Sequence, residues 1–322
     1  MSTFWKWTKR IMTGLLILIL VLTTLTYAAG VFAKSKLVRG NLPPGQLTDV
    51  GGYNIHLYCV GQGGPTVILE AGLNDFHVSW SKVQAEIAKT ARVCSYDRAG
   101  LGWSEASPHP RTSEVMTEEL HTLLTNSGIE GPYILVGHSF GGIIARLFAQ
   151  SYPDEVAGMV LVDSAHEEQV SRMPYLKDSA DEFIGQFRML SAMSSFGLMA
   201  LSPATIPNRG FPDEAYKQYQ AVLATTDYFN TSIAESTAFY SNTSPTNTAE
   251  LGDLPLIVLS HGLPDPNSDS DVFEQEWTKM QSELTRLSSN SRQIIAEQSG
   301  HYIQLDEPNL VIDAICELIE SK

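Results

Sequence analysis

The chain has 322 residues, of which 43% are hydrophobic and 18% charged, with 24 glycines and 16 prolines. These values are typical of one folded α/β domain with an insertion, and they exclude disordered and fibrous proteins. Six basic residues and no acid lie within positions 1–40, so the remainder holds 15 basic and 36 acidic residues, a net charge of −21. A surface this acidic repels phosphate backbones, so we expect no nucleic-acid partner.

An uncharged segment covers residues 11–33, and three basic residues precede it. It is long enough to cross a bilayer, which takes about 20 residues. The basic flank favours a cytoplasmic N-terminus, so residues 1–36 are predicted to anchor the chain in a membrane, with the following domain extracytoplasmic. The alternative is a signal peptide that is cleaved after Ala33, which would leave a secreted protein.

Residues 37–45 contain Pro43-Pro44-Gly45 and are typical of a linker. Strand-like runs then alternate with helical stretches over 46–163 and 251–322, which predicts a mostly parallel sheet flanked by helices. Two runs joined at Gly51-Gly52 predict a β-hairpin, and six short apolar runs predict buried parallel strands. The eight predicted strands are 46–50, 55–60, 66–70, 93–96, 134–136, 159–162, 256–260 and 292–296.

Residues 164–250 interrupt this alternation between the sixth and seventh predicted strands. The segment is helical in pattern and rich in methionine and aromatic residues. We interpret it as a helical lid over a ligand site. The alternative for any single residue is that it belongs to a small core of the segment itself.

Three cysteines, Cys59, Cys94 and Cys316, form an odd set without a CxxC pair. This pattern indicates neither a disulfide framework nor a zinc site, so each is expected to be a small buried apolar residue. Cys59 and Cys94 lie in predicted strands that can be neighbours. A bridge between them in an oxidising compartment is the alternative.

The strongest motif is Gly137-His138-Ser139-Phe140-Gly141, a GxSxG sequence between an apolar strand and a helical stretch. In this context the chain turns sharply from strand to helix and holds the serine in a strained backbone conformation. The glycines are required because side chains there would collide with the neighbouring strand and helix. Ser139 is therefore the candidate nucleophile.

Over about residues 46–320 the sequence resembles the α/β-hydrolase superfamily, in particular its lid-bearing, serine-nucleophile esterases and lipases. The resemblance rests on the GxSxG motif and on three further segments, which are Glu70-Ala71-Gly72-Leu73, Tyr96-Asp97-Arg98-Ala99-Gly100-Leu101-Gly102-Trp103-Ser104 and Ser299-Gly300-His301. It implies an eight-stranded, mostly parallel sheet flanked by helices, with the lid inserted between strands 6 and 7. Asp97 and Arg98 match positions that brace neighbouring loops.

The same resemblance implies roles for four further residues. His301 matches the histidine that takes the proton of the nucleophile, and the backbone N–H groups of Leu73 and Phe140 match the donors to the oxyanion. Two aspartates can orient the histidine. Asp265 matches the commoner family position after strand 7, and Asp163 matches a variant position after strand 6, and the sequence leaves both open.

A serine nucleophile with a histidine base transfers acyl groups to water, so the sequence predicts hydrolysis of a small-molecule carboxylic ester. The apolar lid favours a hydrophobic ester. Epoxide hydrolases and haloalkane dehalogenases of this fold carry an aspartate at the elbow, so Ser139 argues against both. We expect no cofactor and no metal. Aminopeptidase-like and carbon–carbon bond hydrolases remain alternatives, as does a noncatalytic protein that binds a small ligand.

Overall fold

A computed structural model describes residues 3–241, 250–264 and 271–321 of the chain. Eight strands form one sheet in this part of the molecule. They are β1 Gln46–Asp49, β2 Asn54–Val60, β3 Thr66–Glu70, β4 Val93–Tyr96, β5 Tyr133–His138, β6 Val156–Val162, β7 Leu256–His261 and β8 Ser291–Ala296. All eight predicted strands are confirmed, with ends that differ by up to three residues.

The strand order is β1-β2-β4-β3-β5-β6-β7-β8. Strand β2 runs antiparallel to both of its neighbours, and β3 to β8 are parallel to one another. The carboxyl ends of the six parallel strands therefore meet at one edge of the sheet. Because side chains after these ends converge, this edge is where an α/β sheet binds its ligand.

The described residues form twelve α-helices. These are α1 Thr3–Gly40, α2 Ser81–Ile87, α3 Ser113–Asn126, α4 Phe140–Ser151, α5 Gln169–Arg172, α6 Leu176–Ser195, α7 Leu198–Leu201, α8 Asp213–Leu223, α9 Thr226–Ser241, α10 Asp271–Leu284, α11 Ile303–Asp306 and α12 Pro308–Glu320. The sheet with helices on both faces confirms the predicted fold class.

The two faces of the sheet carry separate apolar cores. Successive residues of a strand point to opposite faces, so Leu135 packs with α3 and α4 on one side, while Ile134 and Val136 pack with α2 and α12 on the other. Their side chains are 0–1% exposed. Because both faces of β5 are buried, its residues 134–136 are all apolar instead of alternating between apolar and polar.

The expectation that all three cysteines are small apolar residues is wrong for two of them. Cys59 of β2 lies directly opposite Cys94 of β4 in the antiparallel register, and the two form a disulfide with a Cα–Cα distance of 4.0 Å. The sequence placed both in strands but did not fix their register. Cys316 is a free, partly buried cysteine on α12.

Between β6 and β7 the part of the chain that the structure describes forms five α-helices, α5 to α9. Helices α8 and α9 pack on the loops that follow β3 and β4, through a cluster that includes Phe76, Leu101, Tyr219 and Phe229. These helices therefore lie over the carboxyl edge of the sheet.

Helix α1 is a single helix of 38 residues that continues through positions 37–40, which the sequence assigned to the linker. Its length and composition allow it to cross a membrane, and almost all of its apolar segment is exposed.

Candidate active site

Ser139 stands at the turn between β5 and α4 with φ 51° and ψ −123°. A positive φ is strained for a residue with a side chain, and here the surrounding glycines make it possible. A Cβ on Gly137 would lie 2.6 Å from the Cα of Gly142, and one on Gly141 would lie 2.5 Å from the carbonyl oxygen of Ala71. Both positions therefore exclude side chains, as the motif requires.

His301 and Asp163 lie beside Ser139. The Nε2 atom of His301 is 3.0 Å from the Oγ of Ser139, and its Nδ1 is 2.5 Å from the Oδ2 of Asp163. The three side chains thus form one chain of hydrogen bonds. Asp265 lies outside the described residues.

Asp163 follows β6 and is fully buried. Its Oδ1 accepts hydrogen bonds from the indole Nε1 of Trp277 at 3.0 Å and from the backbone N–H of His261 at 3.2 Å. Its Oδ2 also accepts from the Nδ1 of His261 at 2.8 Å. Burial alone would raise the pKa of Asp163, but the hydrogen bonds and charges of His261 and His301 hold this pKa well below its usual value. The carboxylate therefore stays ionised.

His261 is a second histidine on the same carboxylate. Its Nε2 lies 2.9 Å from Glu274 Oε2, so both ring nitrogens face a carboxylate. Burial would lower the pKa of His261, but these two contacts raise it to about 9. The imidazole is therefore charged at neutral pH. No motif in the sequence indicates this role, although the position of His261 at the end of β7 places it at the same edge as Asp163.

The loop after β3 runs directly past Ser139. A Cβ on Gly72 would lie 2.8 Å from the Nδ1 of His138 and 3.3 Å from the Cβ of Ser139, so the loop backbone lies close against the elbow and a side chain there would collide with the ring of His138. Leu73 follows in this loop, and Phe140 is the first residue of α4. Both residues line the same cavity as Ser139. The N-terminus of α4 also presents the positive end of the helix dipole to that space.

Arg98 fixes this loop. Its guanidinium donates to the carbonyl oxygens of Ala71 and Gly72, each at 2.7 Å, and to Glu70 at 2.8 Å. It also donates two hydrogen bonds of 2.8 Å to Glu235 of α9. Burial raises the pKa of Glu70 to about 7. One buried cation therefore connects the loop after β3 to the helices above the sheet, which agrees with its predicted bracing role.

Asn74 follows Leu73 in this loop and also lines the cavity. Its side-chain amide is 3.5 Å from Ser236 Oγ, and its backbone N–H is 3.3 Å from Glu235. Both partners belong to α9. Asn74 therefore joins the loop to the helix.

His138 supports the position of His301. Burial and the neighbouring His301 lower the pKa of His138 to about 3, so its ring is neutral. Its Nε2 lies 2.9 Å from the backbone carbonyl oxygen of His301 and donates to it. This bond ties the loop after β8 to the elbow.

Two groups of side chains in the described residues are compact enough to hold a metal ion. One is Asp163, His261 and His301. The other is the buried set of Asp97, His56 and His77, which lies after β4. The Oδ1 of Asp97 accepts hydrogen bonds from the backbone N–H and the Nδ1 of His77. Its Oδ2 accepts from the backbone N–H of Trp103 and lies 2.8 Å from the Nδ1 of His56. This second group therefore connects the loop after β4 to β2 and to the loop after β3.

A cavity of about 390 Å³ opens above Ser139. Its floor is formed by the serine, His301 and the loop after β3. Its walls are mainly apolar and come from α6, α9 and α10, with Leu176, Phe183, Phe239, Tyr240, Phe273 and Trp277. The volume lies within the range of small-molecule sites.

The chain belongs to the α/β-hydrolase family, because the family model described as "alpha/beta hydrolase fold" matches residues 65–308. A relative in sequence is the uncharacterized protein YqjL of Bacillus subtilis, which is 30% identical over 261 residues, covering 80% of this chain and 85% of that protein. The similarity to this family therefore extends over most of the chain.

Solved structures show the same fold. An esterase from Exiguobacterium antarcticum has a TM-score of 0.66 at 17% identity and covers 86% of this chain and 99% of its own. The epoxide hydrolase CorEH has a TM-score of 0.64 at 18% identity and covers 86% and 98%. These likenesses show the fold alone, and the reaction has to be argued from the site.

Proposed function

We propose that the protein is a serine hydrolase that cleaves a hydrophobic carboxylic ester through an acyl-enzyme intermediate. The observation that carries the proposal is the unbroken chain of hydrogen bonds from the Oγ of Ser139 through His301 to Asp163. A nucleophile, its base and the group that orients the base are thereby within reach of one another, in a cavity that can hold a substrate. Asp163 takes the orienting role in this proposal, and Asp265 does not.

The reaction follows from these positions. The Oγ of Ser139 attacks the ester carbonyl while His301 Nε2 takes its proton, and the backbone N–H groups of Leu73 and Phe140 donate to the oxyanion. The imidazolium then gives the proton to the leaving alcohol, which breaks the ester bond and leaves an acylated serine. Water then attacks the acyl carbonyl while His301 Nε2 takes a proton from it. The imidazolium returns this proton to Oγ of Ser139 as the acyl–serine bond breaks, which releases the carboxylic acid and restores the serine. Asp163 holds the ring of His301 and stabilises its cationic form.

The substrate class is inferred from the cavity walls. We assign residues 164–250 as a lid, with 46–163 and 251–322 as the core that carries the reacting groups. Phe183 of α6 and Tyr240 of α9 come from the lid and face the same space as Ser139. An acyl chain or another apolar group fits such walls better than a charged one.

We assign residues 1–36 as a membrane anchor and 37–45 as a linker whose first four residues continue helix α1, with the enzyme domain on the extracytoplasmic side. Basic residues before the apolar segment favour this orientation. The Cys59–Cys94 disulfide agrees with it, because such bonds persist in oxidising compartments. The N-terminus of the mature protein, determined by mass spectrometry in the membrane and soluble fractions, tests this assignment. A full-length chain in the membrane fraction is the expected result, and a soluble chain that begins at Lys34 would mean a cleaved signal peptide.

Hydrolysis of nitrophenyl esters tests the reaction and the substrate class together. We expect turnover to rise from acetate to octanoate esters, and to fall by about a thousandfold or more in Ser139→Ala, because the nucleophile is lost. Equal rates for both esters would reject the hydrophobic substrate. Full activity of Ser139→Ala would reject the serine mechanism itself.

A further inference from the structure

The lid is in direct contact with helix α1. Gly30 is buried, although most of α1 is exposed, and a Cβ on it would lie 2.3 Å from the carbonyl oxygen of Phe196. Conversely, a Cβ on Gly197 would lie 2.2 Å from the carbonyl carbon of Gly30. The ring of Tyr27 packs edge-on against Phe196 at 6.0 Å. Two glycines thus let the backbones touch, and the turn between α6 and α7 is fixed to α1.

The depth of this contact along α1 is informative. Gly30 precedes Lys34, the first charged residue after the apolar segment, by four positions. At about 1.5 Å per helical residue, the contact lies about 6 Å along the helix from Lys34, on the side of the apolar segment. A bilayer that takes up residues 11–33 therefore reaches the level of the α6–α7 turn.

The lid segment at this level is itself apolar. No charged residue lies between Arg188 and Arg209, and the segment 189–208 contains α7. Three of its large apolar side chains are exposed, with Met189 at 59%, Phe196 at 54% and Leu201 at 43%. An exposed apolar patch of this kind suits contact with the acyl chains at a bilayer surface.

We propose that the segment 189–208 enters the same leaflet as the C-terminal part of α1, so that the lid rests in the membrane surface and the cavity takes its substrate from that leaflet. The occupant of the exposed patch is lipid, because the patch is continuous with a helix face that itself requires lipid. The substrate is an amphiphile whose acyl chain lies in the bilayer. This inference rests on the proposed membrane anchor, and its second half rests on the proposed esterase activity.

The lid also connects the membrane level to the reacting groups. Helix α6 ends at Ser195, beside the patch, and its side chains Leu176 and Phe183 line the cavity. Helix α9 packs along α6 and carries Glu235, which pairs with Arg98. A bilayer that fixes the end of α6 therefore also fixes the cavity walls, because α6 and α9 pack together and both line the cavity.

Depth-dependent quenching in vesicles tests the immersion with the full-length protein. In a Cys316→Ser background, single cysteines replace Phe196, Leu18 in the middle of α1, or Asp154 at the opposite edge of the sheet, and each carries an environment-sensitive fluorophore. We expect nitroxides on the acyl chains to quench the label at 18 strongly, nitroxides near the headgroups to quench the label at 196, and neither to quench the label at 154.

The outcomes separate the possible failures. A label at 196 that behaves like the label at 154, while the label at 18 is quenched, overturns the inference and leaves the anchor intact. An unquenched label at 18 overturns the anchor and this inference together.

Enzyme assays test the delivery of substrate. Phe196→Glu with Leu201→Glu should lower hydrolysis of a long-chain ester in vesicles by about tenfold or more, because buried charges oppose insertion. Hydrolysis of a soluble acetate ester should stay unchanged. Equal loss or no loss on both substrates overturns delivery from the leaflet. Failure of the wild type to cleave either ester overturns the esterase proposal, while the quenching result still decides the immersion.

Discussion

Replacement of Asp163 by asparagine is a direct test of how His301 is oriented. The carboxylate is fully buried, so no water can substitute for it. Its Oδ2 accepts from the Nδ1 atoms of both His301 and His261. Asparagine keeps the shape and can still accept from Trp277 with its oxygen, but its amide nitrogen then faces two N–H donors.

The expected loss follows from the tautomer of His301. An amide N–H beside Nδ1 favours the ring form that carries its proton on Nε2, and this form cannot take the proton of Ser139. We expect kcat to fall by about 10³- to 10⁴-fold, which corresponds to about 4–5.5 kcal/mol of transition-state stabilisation, with a small change in KM.

Initial rates on a soluble nitrophenyl ester measure this effect, with circular dichroism as the check that the variant is folded. Asp265→Asn is the matched control and should remain close to the wild type. A folded Asp163→Asn variant that keeps more than about a tenth of kcat would refute the reasoning, as would a large loss in Asp265→Asn alone.

Three further predictions concern stability. Arg98→Met should cost about 3–5 kcal/mol of unfolding free energy, because it leaves buried carboxylates unpaired, and adding Glu235→Gln should restore part of it; urea unfolding that is unchanged would contradict this. The pKa of His261 is about 9 in the folded chain against 6.5 in the unfolded one, so protonation of this residue stabilises the fold fully below pH 6.5 and progressively less as the pH rises through 9. The unfolding temperature of the wild type should therefore fall more between pH 6.5 and pH 9 than that of His261→Gln, and an equal fall in both would contradict this. Alanine at Cys59 and Cys94, which are 35 positions apart, should cost about 2–4 kcal/mol, and equal stability would argue against the disulfide.

The fold was predictable because its signals are local. Buried parallel strands are short apolar runs, and the elbow places glycines at fixed positions around Ser139, so both are visible in the sequence. Helix ends at glycine and proline are equally local. The strand order could only come from the family resemblance, since nothing within a strand specifies its neighbour.

The choice between Asp163 and Asp265 lay beyond the sequence, because both follow strands that end at the same edge of the sheet. Our proposal of Asp163 rests on its hydrogen bond to His301 and on its enclosure by Trp277 and His261, which come from α10 and the end of β7. Such contacts depend on how helices cross the sheet edge. The pairing of Arg98 with Glu235 was hidden for the same reason, since 137 positions separate the two residues.

The contact between α1 and the turn that joins α6 to α7 was also hidden. Gly30 and Gly197 look like ordinary glycines in an apolar helix and at a helix boundary, and only the three-dimensional structure reveals that they touch. The disulfide is a similar case, because a shift of one residue in the β2–β4 register would place Cys59 and Cys94 on opposite faces.

The central claim is that Ser139 is an activated nucleophile, and covalent labelling tests it most directly. The purified protein and its Ser139→Ala variant are treated with a fluorophosphonate, and the adduct is located by mass spectrometry. We predict one adduct on Ser139 in the wild type and none in the variant. A folded wild-type protein that takes up no label would contradict the claim, and the cavity would then be a site that binds a ligand without cleaving it.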